Sequence, residues 1–513
     1  MAEIETEVNS NNGVVEDDKA PGKPLLFGRR DIYATADEIT AENVIDEVNT
    51  ALTFHLLNVQ DEDYLYWYRR GFQPVLNRTK TYNDFVCNKI VANISEEITT
   101  FKNGFFLQEP CSFVSRKKGL ESKVTLLNEY LHRSGKQTVD NILADWFHMV
   151  GKAVLYVEPN DDEDIPIKAY ALDPRSAFVA YSLRPGNKPV FGVNIVLGEY
   201  ESLIDVYTAK KVFRLKGGAS QTRTSDWKNY ATTATELVGV EDNTLGHIPI
   251  IEYRYNSVNM GCFEACLPLL DAISDIQSNR ADGVAQFVQS IIVAVNCQFE
   301  EGTTANKIKE AGMIALSSVG ENKADFKVLS EELNQEQTQV LVDNLYDQAM
   351  RICAMPTTAR NGRGTYDSTG AAALYNNGWA QASSAALNTE DLFKESNHLF
   401  EEILIDVLKR KDILDIKMID FELNFTRNDQ ANMQSKAQSF QTLLAAGLHP
   451  QLAAKKSGIS NDPVADIKMS EKYLKMVWGD PDAAVKAEEE GNGQGEAQVI
   501  EEDNNNGEDA VAG

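Results

Sequence analysis

The chain has 513 residues, with 77 acidic and 49 basic side chains and a formal net charge of −28. Its 43% apolar and 25% charged residues are ordinary for a folded protein, which excludes a collagenous, coiled-coil or wholly disordered chain. The acidic balance argues against a protein that grips nucleic acid over a broad basic face, although it leaves room for one that lets DNA pass.

The two ends of the chain carry much of the negative charge. Residues 1–19 have a net charge of −5 and residues 479–513 a net charge of −10. These ends contain too few apolar side chains to offset the entropy of ordering them, so we predict a disordered acidic arm over 1–38 and a disordered acidic tail over 479–513. No signal-peptide pattern opens the chain, and its most apolar run, Ser290–Val295, is too short to span a bilayer.

The first half of the chain reads as helices followed by strands. Thr35 and Glu38 have the spacing of a capping box, and apolar residues from Val44 to Val59 then recur with helical spacing. A second helix is predicted near 82–98, followed by a turn at Asn103-Gly104. Alternating apolar runs predict short strands over 153–158, 167–171, 178–181, 191–197, 203–207, 211–215 and 248–253, and the polar stretch 218–244 predicts a hairpin.

The second half reads as long helices separated by a compact insert. Leu269, Ile273 and Ile276 begin an apolar stripe on the first long helix, and Pro356 ends the second. A Gly-rich basic loop follows, and then a helix of about forty residues to Arg410 that Asn376-Asn377-Gly378 interrupts. The pattern closes with a strand at 418–425 and short helices near 429–446, 449–457 and 463–477.

Motifs of catalysis or metal binding are missing from the sequence. It contains no G-x-x-x-x-G-K-[ST], no H-E-x-x-H and no G-x-S-x-G pattern, and the six histidines are far apart. The six cysteines are scattered, which is typical of reduced, buried thiols. Cys262 and Cys266 could face one another on a helix, but no second ligand pair follows them. We therefore expect no enzyme activity, no cofactor and no metal.

Five sequence blocks, in order, resemble one family. They are 67–110 (beginning WYRRGF), 248–287 (beginning IPIIEYRYN), 325–356 (from DFKVL to AMP), Tyr366–Gly370 (YDSTG) and 419–473 (beginning IDFELNF). Together they resemble the phage portal proteins of siphophages that infect Gram-positive hosts, over roughly residues 40–475. The helix after the Gly-rich loop reads GAAALYNNGW and lacks the lysines with which that family usually opens it.

The resemblance implies an α+β class, with a mainly helical portal fold. Its parts would be a wing (39–262, helices plus a β-rich part), stem helix 1 (263–292), a small α/β clip (293–332) and stem helix 2 (333–355). A tunnel loop (356–370), a long kinked helix with a wing strand (371–427) and helical crown segments (428–478) would follow. For the clip, a plain hairpin insert without a partner is the alternative.

The resemblance also implies a role and partners. Portal proteins form a ring, typically a dodecamer, at one capsid vertex. Double-stranded DNA enters the capsid through this channel during packaging and leaves through it at ejection. Expected partners are non-specific double-stranded DNA, the terminase large subunit, a head–tail adaptor, and the major capsid and scaffolding proteins. The expected location is the virion, after assembly in the host cytoplasm. The alternatives are a soluble cytosolic enzyme with an unrecognised site, or a capsid-associated structural protein that forms no ring.

Two sets of residues are candidate channel residues. The tunnel loop would offer weak phosphate contacts through Arg360, Asn361, Arg363 and Thr365, with an ordinary linker as the alternative. An acidic wall would repel DNA and keep it centred. Asp271, Asp275, Asp282, Asp343 and Asp347 on the two stem helices are the candidates for it, with a solvated helix face as the alternative.

Overall fold

The computed structural model describes residues 28–80, 86–117, 119–162, 164–197, 201–218, 233–288, 291–295, 297–299, 316–318, 325–329, 335–356, 378–425, 433–460, 466–467, 469–470 and 473. The chain divides into two compact units, Met1–Asn428 and Asp429–Gly513. Helices and β-sheets are both present, which confirms the α+β class.

The helices of the first unit include the three long ones predicted from the sequence. They are α1 (Val44–Arg69), α2 (Ile94–Phe106), α3 (Glu121–Arg133), α4 (Lys136–Val150), α5 (Leu267–Val288), α6 (Gln335–Ile352) and α7 (Trp379–Arg410). Gly378 precedes α7 with a left-handed φ of +80°, which an α-helix does not adopt, so α7 begins directly after it. The part of the predicted helix before Gly378, with Asn376 and Asn377, lies outside the described residues. In the described parts of the chain, no helix is both long and apolar enough to cross a membrane.

The strands lie mainly between α4 and α5. They are β1 (Ile32–Ala34), β2 (Ser112–Ser115), β3 (Lys152–Pro159), β4 (Ile167–Leu172), β5 (Ala177–Ser182), β6 (Pro189–Leu197), β7 (Ser202–Tyr207), β8 (Lys211–Gly217), β9 (Ala234–Asp242), β10 (Ile250–Arg254), β11 (Ile291–Val295), β12 (Cys297–Phe299), β13 (Leu316–Ser318), β14 (Asp325–Leu329) and β15 (Phe421–Asn424). All seven strands predicted between 153 and 253 are confirmed.

The largest sheet packs against α1. Among the described residues its strand order is β1-β5-β6-β7-β8-β9, with β1 parallel to β5 and the remaining pairs antiparallel. Alternation along the strands turns Ile204, Val206 and Phe213 inward, where they meet the buried Val48 and Leu52 of α1. Strands β8 and β9 form a hairpin, and of its two strands only β9 lies within the predicted range 218–244. Residues 219–232 lie outside the described residues.

A smaller sheet packs against α4 and α7. Its order in the described chain is β10-β3-β4, and both pairs are antiparallel. Phe147 of α4, Tyr253 of β10 and Phe393 of α7 are buried together, and the Tyr253 hydroxyl donates to Asn397 Oδ1 at 3.0 Å. Strand β15 pairs with β2 beside this core, which confirms the strand predicted at 418–425.

A third core joins α5 and α6, the two helices that were predicted as stem helices. Leu267, Leu270 and Ile273 of α5 are buried with Val342 and Met350 of α6, and residues of α1, α2 and α4 belong to the same cluster. Between α5 and α6 the described insert consists of two short antiparallel pairs, β11 with β14 and β12 with β13.

The second unit contains α8 (Met433–Ala445) and α9 (Pro450–Ser457). Helix α9 begins with proline at its first position and ends at Gly458, whose φ is +64°. Two of the three helices predicted here are thus confirmed; of the third, 463–477, only five residues are described.

The N-terminal boundary predicted at residue 38 is wrong. Arg29 is fully buried and pairs with Glu264 at 2.5 Å, and its backbone N–H donates to Asn259 O at 3.1 Å. Thr35 and Glu38 form no capping box; instead the Thr35 N–H donates to Glu47 of α1 at 2.9 Å. Residues 28–38 therefore belong to the fold, and the remainder of the predicted arm lies outside the described residues.

The helix predicted over 82–98 is also wrong for its first part. Residues 86–93 are neither helix nor strand, and α2 begins only at Ile94. Helix α2 then continues through Asn103-Gly104, where we predicted a turn. Helices α3 and α4 and strands β1 and β2 were not predicted.

Two of the histidines are satisfied core residues. His55 stacks on Phe178 and its ring nitrogen Nε2 bonds to the carbonyl oxygen of Arg175 at 3.0 Å, and burial lowers its pKa to about 4. His148 lies 2.6 Å from Asn103 Oδ1, and burial lowers its pKa well below the usual value. Both imidazoles are neutral at physiological pH.

Candidate channel site at the stem helices

The tunnel-loop candidates Arg360, Asn361, Arg363 and Thr365 lie outside the described residues, which stop at 356 and resume at 378. The structure does describe both flanks of this segment, the end of α6 and the start of α7. The candidate site is therefore built from these flanks and from the two stem helices.

The end of α6 is fixed by a backbone reversal. The Met355 N–H donates to Met350 O at 2.8 Å and the Ala354 N–H to Arg351 O at 3.1 Å, while Ala354 has a left-handed φ of +50°. This is a Schellman motif with alanine where glycine is usual. The buried Lys102 of α2 donates to Ala354 O at 3.4 Å, and burial lowers the pKa of its amine. The reversal therefore directs the chain away from the helix axis just before the tunnel loop.

The start of α7 is held by the same helix. Trp379 packs its ring against Phe101 and Phe105 of α2, with centroid distances of 5.9 and 6.0 Å. Gln381 donates to Arg351 O at 3.5 Å, which links the start of α7 directly to the end of α6. Ala354, before the undescribed segment 357–377, and Trp379, after it, thus both contact α2.

One face of α5 is covered by residues 86–93, which we call the strap. The N–H groups of Asn88, Ile90 and Ala92 donate to Asp282 Oδ1 at 2.6 Å, Ser278 Oγ at 2.9 Å and Ser274 Oγ at 3.2 Å. The acceptors are four residues apart on the helix and the donors two apart on the strap.

The two spacings match physically. Four residues of α-helix rise about 6 Å, and two residues of extended chain rise about 6.6 Å. Acceptors at every fourth residue of α5 therefore keep register with every second N–H of the strap. The backbone N–H groups of the strap therefore donate to side chains of α5, whereas in a sheet they would donate to the carbonyl groups of a neighbouring strand.

Asp282 serves this interface and not a solvent-facing wall. Its carboxylate is 3% exposed, and it pairs with Arg78 at 2.8 Å and Lys80 at 2.5 Å. Burial alone would raise the pKa of Asp282, but hydrogen bonds from Lys80, Asn88 and Arg78 lower it to about 2. We therefore correct its assignment from channel-wall candidate to structural ion pair.

Asp271 is half-buried, and Tyr68 donates to its Oδ1 at 2.8 Å. Burial raises the pKa of Asp271 to about 6, with the hydrogen bond from Tyr68 lowering it and the charge of Asp275 raising it. Asp275 itself is exposed. Of the three α5 candidates for the channel wall, only Asp275 is exposed.

The two candidates on α6 are partly exposed. Asp343 accepts from Gln339 Nε2 at 2.7 Å, and Gln339 Oε1 in turn accepts from Arg280 of α5 at 2.7 Å. The backbone carbonyl of Asp347 accepts from Arg351 Nε at 3.2 Å. Asp343 thus belongs to a polar chain that joins the stem helices.

Sequence reasoning missed Lys102, Trp379 and the strap. Ser274, Ser278 and Asp282, at a spacing of four, were a readable signal, because short polar side chains repeating along one helix face can accept bonds from a packed extended chain. The contacts of Lys102 and Trp379 with the loop flanks depend on tertiary packing and left no local pattern. In the described residues no group of three or more His, Cys, Asp or Glu side chains is arranged to hold a metal ion.

Comparisons with known proteins identify one family. The sequence model described as "Phage portal protein, SPP1 Gp6-like" matches residues 58–476. A search of curated proteins found no match. Among solved structures, a chain from the neck of an empty GTA particle has a TM-score of 0.40 at 12% identity. The aligned region covers 72% of this chain and 90% of the GTA chain. A chain from the virion of a native gene transfer agent (GTA) particle has a TM-score of 0.39, with the same identity and coverage.

The family match spans the strap, the smaller sheet, both stem helices, α7 and the second unit's helices. It also includes the five sequence blocks that first indicated the resemblance. From this match over most of its length, the chain belongs to the phage portal protein family.

Proposed function

We propose that the protein forms a ring at one capsid vertex, through which double-stranded DNA enters during packaging and leaves at ejection. The observation that carries the proposal is the family match over residues 58–476. The anchored flanks of the tunnel loop support it, because a segment that leaves and returns at one helix can project as a hairpin-like loop into a channel.

Within this ring the tunnel loop contacts DNA. Arg360, Asn361, Arg363 and Thr365 supply weak contacts to phosphates, since arginine presents a planar pair of donors and the flanking glycines permit close backbone approach. The tunnel loop carries only two arginines in each subunit. Its total attraction for DNA is therefore weak enough for the duplex to move.

With Asp282 buried, the proposed acidic wall consists of the remaining carboxylates of the two stem helices. Asp275, Asp343 and Asp347 are the main members, with Asp271 contributing when it is ionised. Negative side chains repel the DNA backbone and keep the duplex away from the wall, so DNA slides past the stem without binding to it.

The outer parts of the ring dock partners. The insert at 293–332 would receive the terminase large subunit during packaging and a head–tail adaptor afterwards. The wing and the crown segments would face the major capsid and scaffolding proteins. The chain works as part of the virion, carries no cofactor and does not hydrolyse ATP.

The test is the mass and shape of the purified full-length protein. Twelve copies of the 57.0 kDa chain would give a particle of roughly 0.7 MDa. Size-exclusion chromatography with light scattering should show such a mass, and negative-stain images should show rings with a central hole. A monomer or dimer at high concentration would contradict the proposal.

A further inference from the structure

Two thiols meet where the stem helices come together at their base. Cys266 ends the 3₁₀ turn Glu264–Cys266 that leads into α5, and Cys353 directly follows α6. Their sulfur atoms are 3.1 Å apart, although the residues are separated by 87 positions in the chain. Cys266 is fully buried and Cys353 is 6% exposed.

The surrounding structure holds both sulfurs in place. The Cys353 N–H donates to Ala349 O at 3.0 Å as part of the reversal that ends α6. The Cys266 sulfur contacts the same carbonyl oxygen at 3.5 Å. A disulfide requires sulfur atoms about 2.05 Å apart, so the sulfurs need to approach by only about 1 Å.

We propose that Cys266 and Cys353 are a redox modification site, which a peroxide-class oxidant converts into a disulfide that joins the start of α5 to the end of α6. Formation of the bond depends on this chain alone. Its use in a virus particle rests on the proposed function, since such a particle assembles in a reducing cytoplasm and is then released into an oxidising medium.

The chemistry balances with one peroxide molecule. The Cys266 thiolate attacks a peroxide oxygen, so that an S–O bond forms, the O–O bond breaks and hydroxide leaves. The Cys353 sulfur then attacks the Cys266 sulfur, the S–S bond forms, and the S–O bond breaks to release a second hydroxide. The two thiol protons convert both hydroxides to water.

Cys266 is suited to the first step and Cys353 to the second. A hydrogen bond from Cys353 lowers the pKa of Cys266, whereas that hydrogen bond and burial raise the pKa of Cys353 well above its usual value. A peroxide is small and uncharged, so we expect it to reach the buried Cys266 from the side of Cys353, the residue of the pair that is 6% exposed. Cys353 lies four residues before position 357, so the disulfide would fix the end of α6 at the start of the tunnel loop.

The test is peptide mapping of reduced, full-length protein treated with hydrogen peroxide and then alkylated. Cleavage after arginine and after glutamate separates Cys262 from Cys266, because Glu264 lies between them. A cross-linked pair of peptides carrying Cys266 and Cys353, lighter by two hydrogen atoms than their sum, is expected. Two alkylated thiols, or a link from Cys353 to Cys262, would overturn the proposal.

Variants supply the controls. Cys353→Ser should abolish the cross-link, whereas Cys262→Ser, which changes the neighbouring thiol beside Thr99, and Cys87→Ser should retain it. If Cys353→Ser fails to fold, the wild-type map decides alone. The map needs no ring, so a monomeric protein with the disulfide would contradict the proposed function and leave this inference standing. Protein alkylated inside intact released particles should show the same link, and free thiols there would overturn its use in the particle.

Discussion

Asp282 and Asp271 show that the pKa values of two carboxyl groups on one helix can shift in opposite directions. Both lie on the same side of α5, where burial by itself raises a carboxyl pKa. Asp282 meets Arg78, Lys80 and Asn88, which lower its pKa to about 2. Burial raises the pKa of Asp271 to about 6, although the Tyr68 hydroxyl lowers it, and the like charge of Asp275 adds to the rise. Helical spacing in the sequence gives the shared face but does not show which partners the fold brings to it.

Replacing Asp282 by asparagine should destabilise the protein by about 2–3 kcal/mol, because Arg78 and Lys80 lose their shared carboxylate. Asp275→Asn is the matched control, an exposed carboxylate on the same helix, with an expected change within about 0.5 kcal/mol. Urea unfolding measures both. Equal effects of the two changes would contradict the assignment.

The contribution of Asp282 should also depend on pH. Its folded pKa of about 2 lies below the ordinary value of 3.8, so its stabilisation is fully present above about pH 4. As the pH falls from about 4 to 2, protonation removes it, and the difference between wild type and Asp282→Asn should shrink in that window.

Replacing Asp271 by asparagine should have the opposite sign at neutral pH. The folded pKa of about 6 lies above the ordinary 3.8, so the folded state binds the proton more tightly and loses stability as the pH rises from about 4 to 6. Asp271→Asn removes that loss, and its stability relative to wild type should therefore increase across this window. Unfolding free energies measured at pH 4, 5, 6 and 7 check this, and a constant difference would refute it.

At the scale of elements, the conformation of the strap could not be predicted from the sequence. Segment 82–98 has helical periodicity, yet only its end belongs to α2 because the N–H groups of 88, 90 and 92 bond to α5. That outcome depends on residues about 190 positions away, which local propensity cannot register. Strands β3–β8 and β10 and the two stem helices were predictable because their own periodicity matches their burial. The sequence predicts that the tunnel loop lies between α6 and α7. It does not predict that the end of α6 and the start of α7 both contact α2.

Removing one hydroxyl should loosen the strap at one amide. Ser278→Ala leaves the Ile90 N–H without its acceptor, so hydrogen exchange at Ile90 should accelerate, whereas Ala92, which bonds to Ser274, should change less. Ser274→Ala should reverse this order. Hydrogen exchange that resolves single amides measures both variants, and identical exchange in the two would contradict the described register.

Removing both arginines of the tunnel loop should affect packaging but not folding. Arg360→Ala with Arg363→Ala should change stability by less than about 0.5 kcal/mol and leave ring yield unchanged. The amount of packaged DNA should fall, because every subunit loses two phosphate contacts. Lys168→Ala with Lys188→Ala, two exposed lysines of the wing, is the control with the same charge change. Normal packaging by the loop variant would make the loop a plain linker, and poor assembly would indicate that its arginines fix subunit contacts.

At the scale of the whole molecule, the charge distribution suits a protein that DNA passes. The chain carries a net charge of −28, and the accessible carboxylates Asp275, Asp343 and Asp347 lie on the stem helices. The arginines of the tunnel loop are confined to one short segment between α6 and α7. A moving duplex would therefore meet repulsion along the stem and brief attraction at one level.

The most direct test is a single-particle reconstruction of the assembled full-length protein. We expect a closed ring in which the tunnel loop, 356–370, lies nearest the central axis, with Asp275, Asp343 and Asp347 facing the channel and the strap covering Asp282. A ring whose axis is lined by the wing sheet, with 356–370 at the periphery, would contradict the assignment of the channel. Particles without a closed ring would contradict the function itself.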